Sequence, residues 1–186
     1  MATPKTIGNG EIHAAITRLE HSIAARHPAP AKLILLGIAN GGIELARRLA
    51  SRLSKASLPA ASSRPLVRVH AGVVDISFHR DDIGRHPIPK EFSPTHIPAD
   101  VHGATVILVD DVIFSGRTVK AALDELFDHG RPAKVELAVL VDRGGRLLPF
   151  APDFCGLTLA PAENEKVIVT LDPDHPKRDS ITIRPG

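Results

Sequence analysis

Two adjacent carboxylates, Asp110 and Asp111, follow directly on the apolar run Val106–Val109. The short loop after them ends in a Ser-Gly-Arg-Thr sequence at residues 115–118. Backbone N–H groups at the start of a helix bind phosphate, and carboxylates accept hydrogen bonds from sugar hydroxyls. We therefore predict a sugar-phosphate site, with the phosphate at residues 115–118 and the ribose hydroxyls at the two Asp side chains.

The same segment has two other interpretations. A pair of acids after a strand often only caps a helix and forms a turn, and a hydrophobic run that ends in Asp is typical of a Walker B element. However, no G-x-x-x-x-G-K-[ST] motif occurs in the chain, and no G-x-G-x-x-G follows a strand. A P-loop nucleotide site and a dinucleotide-binding fold are therefore not supported.

Helical and strand patterns alternate along the chain. Apolar residues spaced by three and four predict helices over residues 11–26 and 43–53, and a third helix after Thr118 with Val119, Leu123, Leu126 and Phe127 on its inner face. Strands are predicted at 32–38, 66–78, 105–109, 135–141, 166–171 and 180–183. This alternation predicts an α/β fold with a mostly parallel central sheet flanked by helices.

Residues 79–103 lack apolar periodicity and are rich in charged residues, His and Pro. A segment of this length without secondary structure is typical of a functional lid or a disordered loop, and we interpret it as a lid. The single Cys155 argues against a disulfide framework or a four-Cys zinc site, and we expect its side chain to be buried.

Composition narrows the function classes further. The chain has 186 residues, a net charge of +2, 6 Phe and no Trp or Tyr. This length fits a single domain over residues 1–186, and the shortage of aromatic rings argues against a base-stacking RNA platform. No apolar run approaches the roughly 18 residues of a membrane span, and no signal-peptide core begins the chain. We therefore expect a soluble, cytoplasmic protein with no membrane partner.

The stretch Val109–Val119 resembles the phosphoribosyl pyrophosphate (PRPP) motif of type I phosphoribosyltransferases. Its particular residues are similar to those of the pyrimidine operon attenuation regulator (PyrR) family, whose members are also uracil phosphoribosyltransferases. The resemblance extends over nearly the whole chain. Other matching stretches are Thr17-Arg18 with His21, Asp75-Ile76 with Arg80-Asp81-Asp82, Gly130–Pro132, Leu140–Gly144 with Arg146 and Pro149, and Glu165–Val167.

The resemblance implies a role for each part of the site. The two acids would bind the ribose hydroxyls of PRPP, the turn at residues 39–41 would hold pyrophosphate through backbone N–H groups, and residues 142–186 would partly form a hood over the base. The implied PRPP site is Ala39, Asn40, Gly41, Arg80, Asp81, Asp110, Asp111, Val112, Phe114, Ser115, Gly116, Arg117 and Thr118. The implied catalytic residues are Asp110, Asp111 and Arg80, and the implied base-binding residues are Val141, Asp142 and Arg143.

By the same resemblance, PRPP and uracil would give UMP and pyrophosphate. Mg²⁺ would be the cofactor, held mainly through PRPP and water, so we expect no direct protein ligand to the metal. A UMP- or UTP-responsive interaction with an mRNA leader and homo-oligomerisation are also implied. The implied RNA-binding residues are Thr17, Arg18, His21, Arg26, Arg143 and Arg146.

Other interpretations stay open from the sequence. The polar face of the first helix is also typical of an ordinary solvated surface. The chain departs from the family in the pyrophosphate turn, where Ala39–Gly42 replaces a more basic sequence, and at Gly145, which stands in place of a His. Basic residues expected around Leu157 and Asn164 are also absent. The alternatives are therefore an RNA-binding regulator with weak or lost catalysis, or a phosphoribosyltransferase for another base.

Overall fold

The computed structural model describes residues 5–28, 32–56, 69–79 and 94–186. Its strands are β1 (Lys5–Ile7), β2 (Leu33–Ile38), β3 (His70–Val74), β4 (Thr105–Ile113), β5 (Lys134–Asp142), β6 (Phe154–Thr158), β7 (Glu165–Thr170) and β8 (Ser180–Pro185). Its helices are α1 (Asn9–Arg26), α2 (Gly42–Ala56) and α3 (Arg117–Asp128), with a 3-10 turn at Pro176–Arg178. No helix in these ranges is long and apolar enough to cross a membrane.

Five strands form the predicted parallel sheet, in the order β3-β2-β4-β5-β6. In this sheet Leu35 lies beside Ile107, and Val109 lies beside Ala138. Because all five strands run in the same direction, their carboxyl ends meet at one edge, where open α/β sheets bind ligands. The predicted fold class is confirmed, and both the acid pair and the glycine-rich turn belong to this edge.

Alternating residues of the central strands enter two different cores. Leu35 and Ile107 pack in a cluster with the buried faces of α1 and α2. Leu36 and Leu108 face the other way and pack in a cluster with the buried face of α3. Every residue of β2 is buried, which explains why its sequence is a continuous apolar run.

A second, antiparallel sheet in the order β1-β8-β7 forms the hood. The carboxylate of Asp179, just before β8, is buried and connects this sheet to the helices. It accepts hydrogen bonds from two guanidinium nitrogens of Arg48 on α2, from the backbone N–H of Asp172, and contacts His13 Nε2 on α1 at 3.1 Å. The hood therefore rests on a buried charge pair with α2.

The strand predictions were right for the buried strands and incomplete at the edges. The predicted strand 66–78 is observed only as His70–Val74, with residues 66–68 outside the described ranges. Strands β1 and β6 were not predicted from the sequence. The first is only three residues long, and the second has a short sequence in which Cys and Gly weaken the strand signal.

Two burial predictions were wrong. Phe127 is about half exposed, because the buried stripe of α3 passes through Val119, Ala122 and Leu126, and the next residue turns by about 100° around the helix. Cys155 is exposed, because it alternates with the buried Phe154 and Gly156 along the edge strand β6.

The predicted lid at residues 79–103 lies mostly outside the described ranges, which omit residues 80–93. Residues 94–103 are held against the core. His96 forms an antiparallel bridge with Val73, with both N–H···O distances at 2.9 Å, and Val101 is buried. The lid therefore stays a prediction, and this end of the predicted segment is anchored.

We expect Asp179→Ala to lower the free energy of unfolding by about 3 kcal/mol, because the partly buried guanidinium of Arg48 loses its carboxylate partner. Urea unfolding monitored by circular dichroism measures the change. Asp174→Ala is the matched control, since Asp174 is exposed and lies in the same connection before β8. Equal stabilities of the two variants would contradict the role assigned to the buried pair.

Candidate active site

The turn after β2 packs directly on the carboxyl end of β4. A Cβ atom on Gly42 would lie 1.9 Å from the carbonyl oxygen of Val109, and one on Gly41 would lie 2.6 Å from a carboxylate oxygen of Asp111. The peptide bond between Ala39 and Asn40 is cis. Only glycine fits this contact, so the sequence of the turn places backbone atoms of residue 41 against the acid pair.

The two carboxylates occupy the last part of β4. Asp110 is buried, and its Oδ1 accepts a hydrogen bond from the N–H of Asp111 at 3.0 Å. Asp111 is half-buried, and its Oδ1 accepts one from the N–H of Val112 at 2.7 Å. Burial raises the pKa of Asp110 well above its ordinary value, and the neighbouring charge of Asp111 adds to this; burial also raises the pKa of Asp111. The site therefore favours a ligand that brings hydrogen-bond donors or positive charge.

The predicted phosphate loop connects β4 to the N-terminus of α3. The helix begins at Arg117, immediately after Gly116, and Ser115 Oγ accepts a long hydrogen bond of 3.4 Å from the N–H of Arg117. The carbonyl of Ser115 accepts hydrogen bonds from the N–H groups of Leu147 and Leu148, at 3.1 and 2.9 Å. The loop is thus held by the backbone of residues 147 and 148 and leads into the first turn of α3, as an anion site at a helix N-terminus requires.

A cleft of about 250 Å³ lies between this loop and the hood. The guanidinium of Arg143 lies over the ring of Phe114, 4.3 Å from its centroid. The Nε atom of Arg143 is buried and has no hydrogen-bond partner among the described residues. The lining residues are Phe114, Arg143, Glu163, Asn164, Glu165, Lys166 and Gly186. The first two were predicted to belong to the site; the hood residues 163–166 and 186 were not, although Glu165–Val167 was among the stretches that match the family.

The loop after β5 is held by its own side chains. Val141 is buried, and Asp142 accepts hydrogen bonds from Gly144 N–H and Arg146 Nη2. Gly145 has a φ of +72°, and a Cβ there would lie 2.5 Å from the ring of Phe114. Because residue 145 is a glycine, it leaves the space that the Phe114 ring occupies when it stacks on Arg143.

Arg146 is committed to the same loop. Its guanidinium donates to five oxygen atoms of the protein, from Asp142, Phe150, Ile113, Phe114 and Gly144. This network joins the loop after β5 to the phosphate loop. The structure thus gives Arg146 an internal role, in addition to the RNA-binding role implied by the resemblance.

The residues of α1 that are predicted to bind RNA differ in their exposure and in their partners within the protein. Arg18 is exposed and donates from Nε and Nη2 to the carbonyl of Gly156, and His21 is exposed on the same face. Thr17 Oγ1 donates to the carbonyl of His13 at 2.9 Å. Arg26 pairs with two carboxylates and lies over the ring of Phe154. Arg80 and Asp81, the predicted polar residues of the lid, lie outside the described ranges.

Comparisons with known proteins agree with this geometry. The family model described as the phosphoribosyl transferase domain matches residues 8–172. A bifunctional protein PyrR of Leifsonia xyli is 40% identical over 186 residues, which cover 100% of this chain and 99% of that protein. Bifunctional protein PyrR 1 of Lactiplantibacillus plantarum is 44% identical over 173 residues, which cover 91% and 90%. The solved hypoxanthine phosphoribosyltransferase of Trypanosoma cruzi shares the fold, with a TM-score of 0.65, 21% identity and 96% and 95% coverage.

A parallel sheet that brings a glycine turn, an acid pair and a helix N-terminus to one edge, under a separate hood, defines a phosphoribosyltransferase of the type I fold. Within this class, identity of 40–44% over nearly full length shows that the chain belongs to the PyrR family of bifunctional proteins. The predicted fold class, family and enzyme class are confirmed.

Replacing Asp110 by Asn should raise the stability of the protein, because the amide is neutral and its oxygen keeps the hydrogen bond from Asp111 N–H. The folded-state pKa of Asp110 lies above the unfolded value of about 3.9. The wild-type chain therefore loses stability as pH rises from that value through the raised pKa. We expect the Tm of the variant to exceed that of the wild type by a margin that widens as the pH rises above about 4, the unfolded-state pKa of an Asp.

Differential scanning calorimetry at several pH values measures this margin. Asp174→Asn serves as a control for the loss of one negative charge, since Asp174 is exposed and its carboxylate makes no ion pair with the described residues. If the Asp110 variant melts below the wild type at every pH, then the buried carboxylate stabilises the fold and the assigned direction is wrong.

Proposed function

We propose that this chain transfers the phosphoribosyl group of PRPP to uracil, giving UMP and pyrophosphate, and that it also binds the mRNA leader of pyrimidine biosynthesis genes in response to uridine nucleotides. The observation that carries the enzymatic part is the contact of Gly41 with the carboxylate of Asp111, beside the N-terminus of α3. This contact supports a PRPP site in which the turn would bind pyrophosphate, the acid pair the ribose, and residues 115–118 the 5-phosphate.

Each residue has a role in this reaction. Asp110 and Asp111 would accept hydrogen bonds from the ribose hydroxyls, and the N–H groups of residues 115–118 would hold the 5-phosphate. Backbone atoms of residues 39–41 would hold the pyrophosphate, without the side-chain cations that a more basic turn supplies. Uracil N1 would then attack C1 of the ribose as the bond from C1 to the pyrophosphate oxygen breaks, and the N1 proton would pass to the departing pyrophosphate.

The oxygen-rich, partly buried acid pair fits the preference of Mg²⁺ for oxygen ligands and water. We propose that Mg²⁺ is held through PRPP and water beside Asp110 and Asp111, and when bound it would neutralise charge on the leaving pyrophosphate. A cation near the pair would also favour the charged form of both carboxylates, whose pKa values are raised by burial. Arg80 is proposed to act on the same ligand from the lid.

The cleft beneath the hood is the proposed base site. A buried Arg143 Nε with no partner in the described part of the chain is a donor that needs an acceptor. The carbonyl oxygens of uracil supply one, and the Phe114 ring offers an apolar face to the base. Val141 and Asp142 would contribute through the backbone. These features fit the carbonyl oxygens and the flat ring of uracil.

We expect Asp111→Asn to lower UMP formation from uracil, PRPP and Mg²⁺ by at least about 100-fold. The substitution removes the negative charge of a carboxylate whose interaction with the ribose would be strongest in the transition state, when charge develops there. Asp124→Asn is the control, since Asp124 is on the surface of α3 and pairs with Lys120. Full activity of the Asp111 variant would show that the site is wrongly assigned. A wild-type chain that binds PRPP or UMP without turnover would instead favour the regulator with lost catalysis, and turnover with hypoxanthine alone would favour another base.

The proposed RNA surface is the exposed face of α1, with contributions from Arg143 and Arg146. Arg18 is its best-positioned cation, because two hydrogen bonds to Gly156 fix its guanidinium while the side chain stays exposed. The charge of Arg26 is balanced by Glu136 and Asp153, so its contribution is smaller. Thr17 and His21 add a hydroxyl and an imidazole on the same helix. An RNA target of this kind implies a cytoplasmic protein, and assembly into a homo-oligomer would repeat the surface.

The double variant Arg18→Ala with His21→Ala should bind leader RNA more weakly, with a salt slope reduced by about 1, while UMP synthesis is unchanged. A filter-binding titration at several salt concentrations, with and without UMP, measures this. Arg47→Ala is the matched control, because Arg47 is an exposed cation on α2. Equal losses in the two proteins would mean that the effect is only one of net charge and that α1 carries no RNA site.

A further inference from the structure

Three side chains of metal-ligand type meet outside the PRPP site. His79 belongs to the turn after β3, and Glu125 and Asp128 lie in the last turns of α3. One ligand atom from each lies within 4.8 Å of the other two. His79 Nε2 is 3.0 Å from an oxygen of Glu125 and 3.6 Å from an oxygen of Asp128. These residues come from segments 46 positions apart, so the fold creates the cluster.

The spacing fits a small transition-metal ion. In a tetrahedral zinc site the metal–ligand distances of about 2.0–2.2 Å place neighbouring ligand atoms about 3.4 Å apart. The two separations from His79 Nε2 lie on either side of this value. An ion could therefore enter between the three side chains after small side-chain movements, with water in the remaining coordination position.

Neighbouring groups orient the Glu125 carboxylate for this role. Its Oε1 accepts a hydrogen bond from Thr95 Oγ1 at 2.6 Å and contacts His129 Nε2 at 3.1 Å. Thr95 Oγ1 is itself held by the backbone N–H of Asp75. This leaves Oε2 directed toward His79. Outer partners that hold one oxygen of a carboxylate while the other faces the metal are a regular feature of metal sites.

The charges and donor types select the kind of ion. Two carboxylates and a neutral imidazole carry a charge of −2, which a divalent cation balances. An imidazole nitrogen in the set favours zinc-like ions over Mg²⁺, which prefers six oxygen ligands.

We propose that His79, Glu125 and Asp128 form a zinc-class metal site that ties the turn after β3 to the last turns of α3. The site is separate from the Mg²⁺ that accompanies PRPP. Because α3 begins at the phosphate loop, the bound ion braces the helix on which that loop depends.

Titration calorimetry of the full chain with ZnCl₂, in excess MgCl₂, tests the proposal. We expect one zinc ion per chain, and a rise in Tm of about 5 °C or more at zinc concentrations near 100 times the dissociation constant. Asp128→Asn and His79→Gln should each weaken binding by at least about 100-fold. Asp124→Asn, one turn earlier on the same helix, should bind zinc like the wild type.

The variants are chosen so that a loss of folding cannot explain a loss of zinc binding. The Asp128 side chain is 71% exposed, so its replacement by Asn leaves the core intact. Circular dichroism and the metal-free Tm of each variant check this. The proposal is overturned if the wild type binds no zinc in the presence of Mg²⁺, or if Asp124→Asn and Asp128→Asn have the same effect.

Discussion

The contact between the turn after β2 and the end of β4 is the constraint on which the candidate active site depends. At Gly42 the two backbones are so close that a methyl group would lie 1.9 Å from the carbonyl oxygen of Val109. At Gly37 a methyl group would lie 2.6 Å from the Cα atom of Ile43, so the strand and the helix that follows it are also in close contact. This spacing brings backbone atoms of residues 39–41 within reach of a ligand that touches Asp111.

The same close packing removes water from Asp110. Asp110 is buried beside a second carboxylate, and its charged form is disfavoured in the absence of a ligand. Such a site lowers the stability of the ligand-free protein. In return its hydrogen-bond acceptors are already in position for a ligand with hydroxyl groups or an associated cation. The instability lies in one residue pair, while the buried strands on either side hold the pair in place.

The parts of the fold that the sequence predicted are those with local causes. Continuous apolar runs identified β2, β4 and β5, and the parallel arrangement then placed Asp110 and the glycine turn at one edge. The features that it missed depend on contacts between distant segments. Nothing near Arg143 in the chain indicates its stacking on Phe114, and nothing near His79 indicates Glu125. Edge strands such as β6 carry too few residues for periodicity to identify them, and this is also why Cys155 was placed on the wrong side.

The hydrogen bonds around Arg146 connect the loop after β5 to the proposed phosphate loop. Arg146 joins Asp142 to the carbonyl of Phe114, and the N–H groups of Leu147 and Leu148 hold the carbonyl of Ser115. The loop that lines the cleft and the loop that would hold the 5-phosphate therefore form one hydrogen-bonded unit. A nucleotide that contacts both loops would shift this unit toward the arrangement that it binds more tightly. The size of the shift equals the difference in its binding free energy between the arrangements. Arg143, which is implied in both base and RNA binding, belongs to this unit, so a response of RNA binding to UMP requires only that the two ligands favour the same arrangement of one loop.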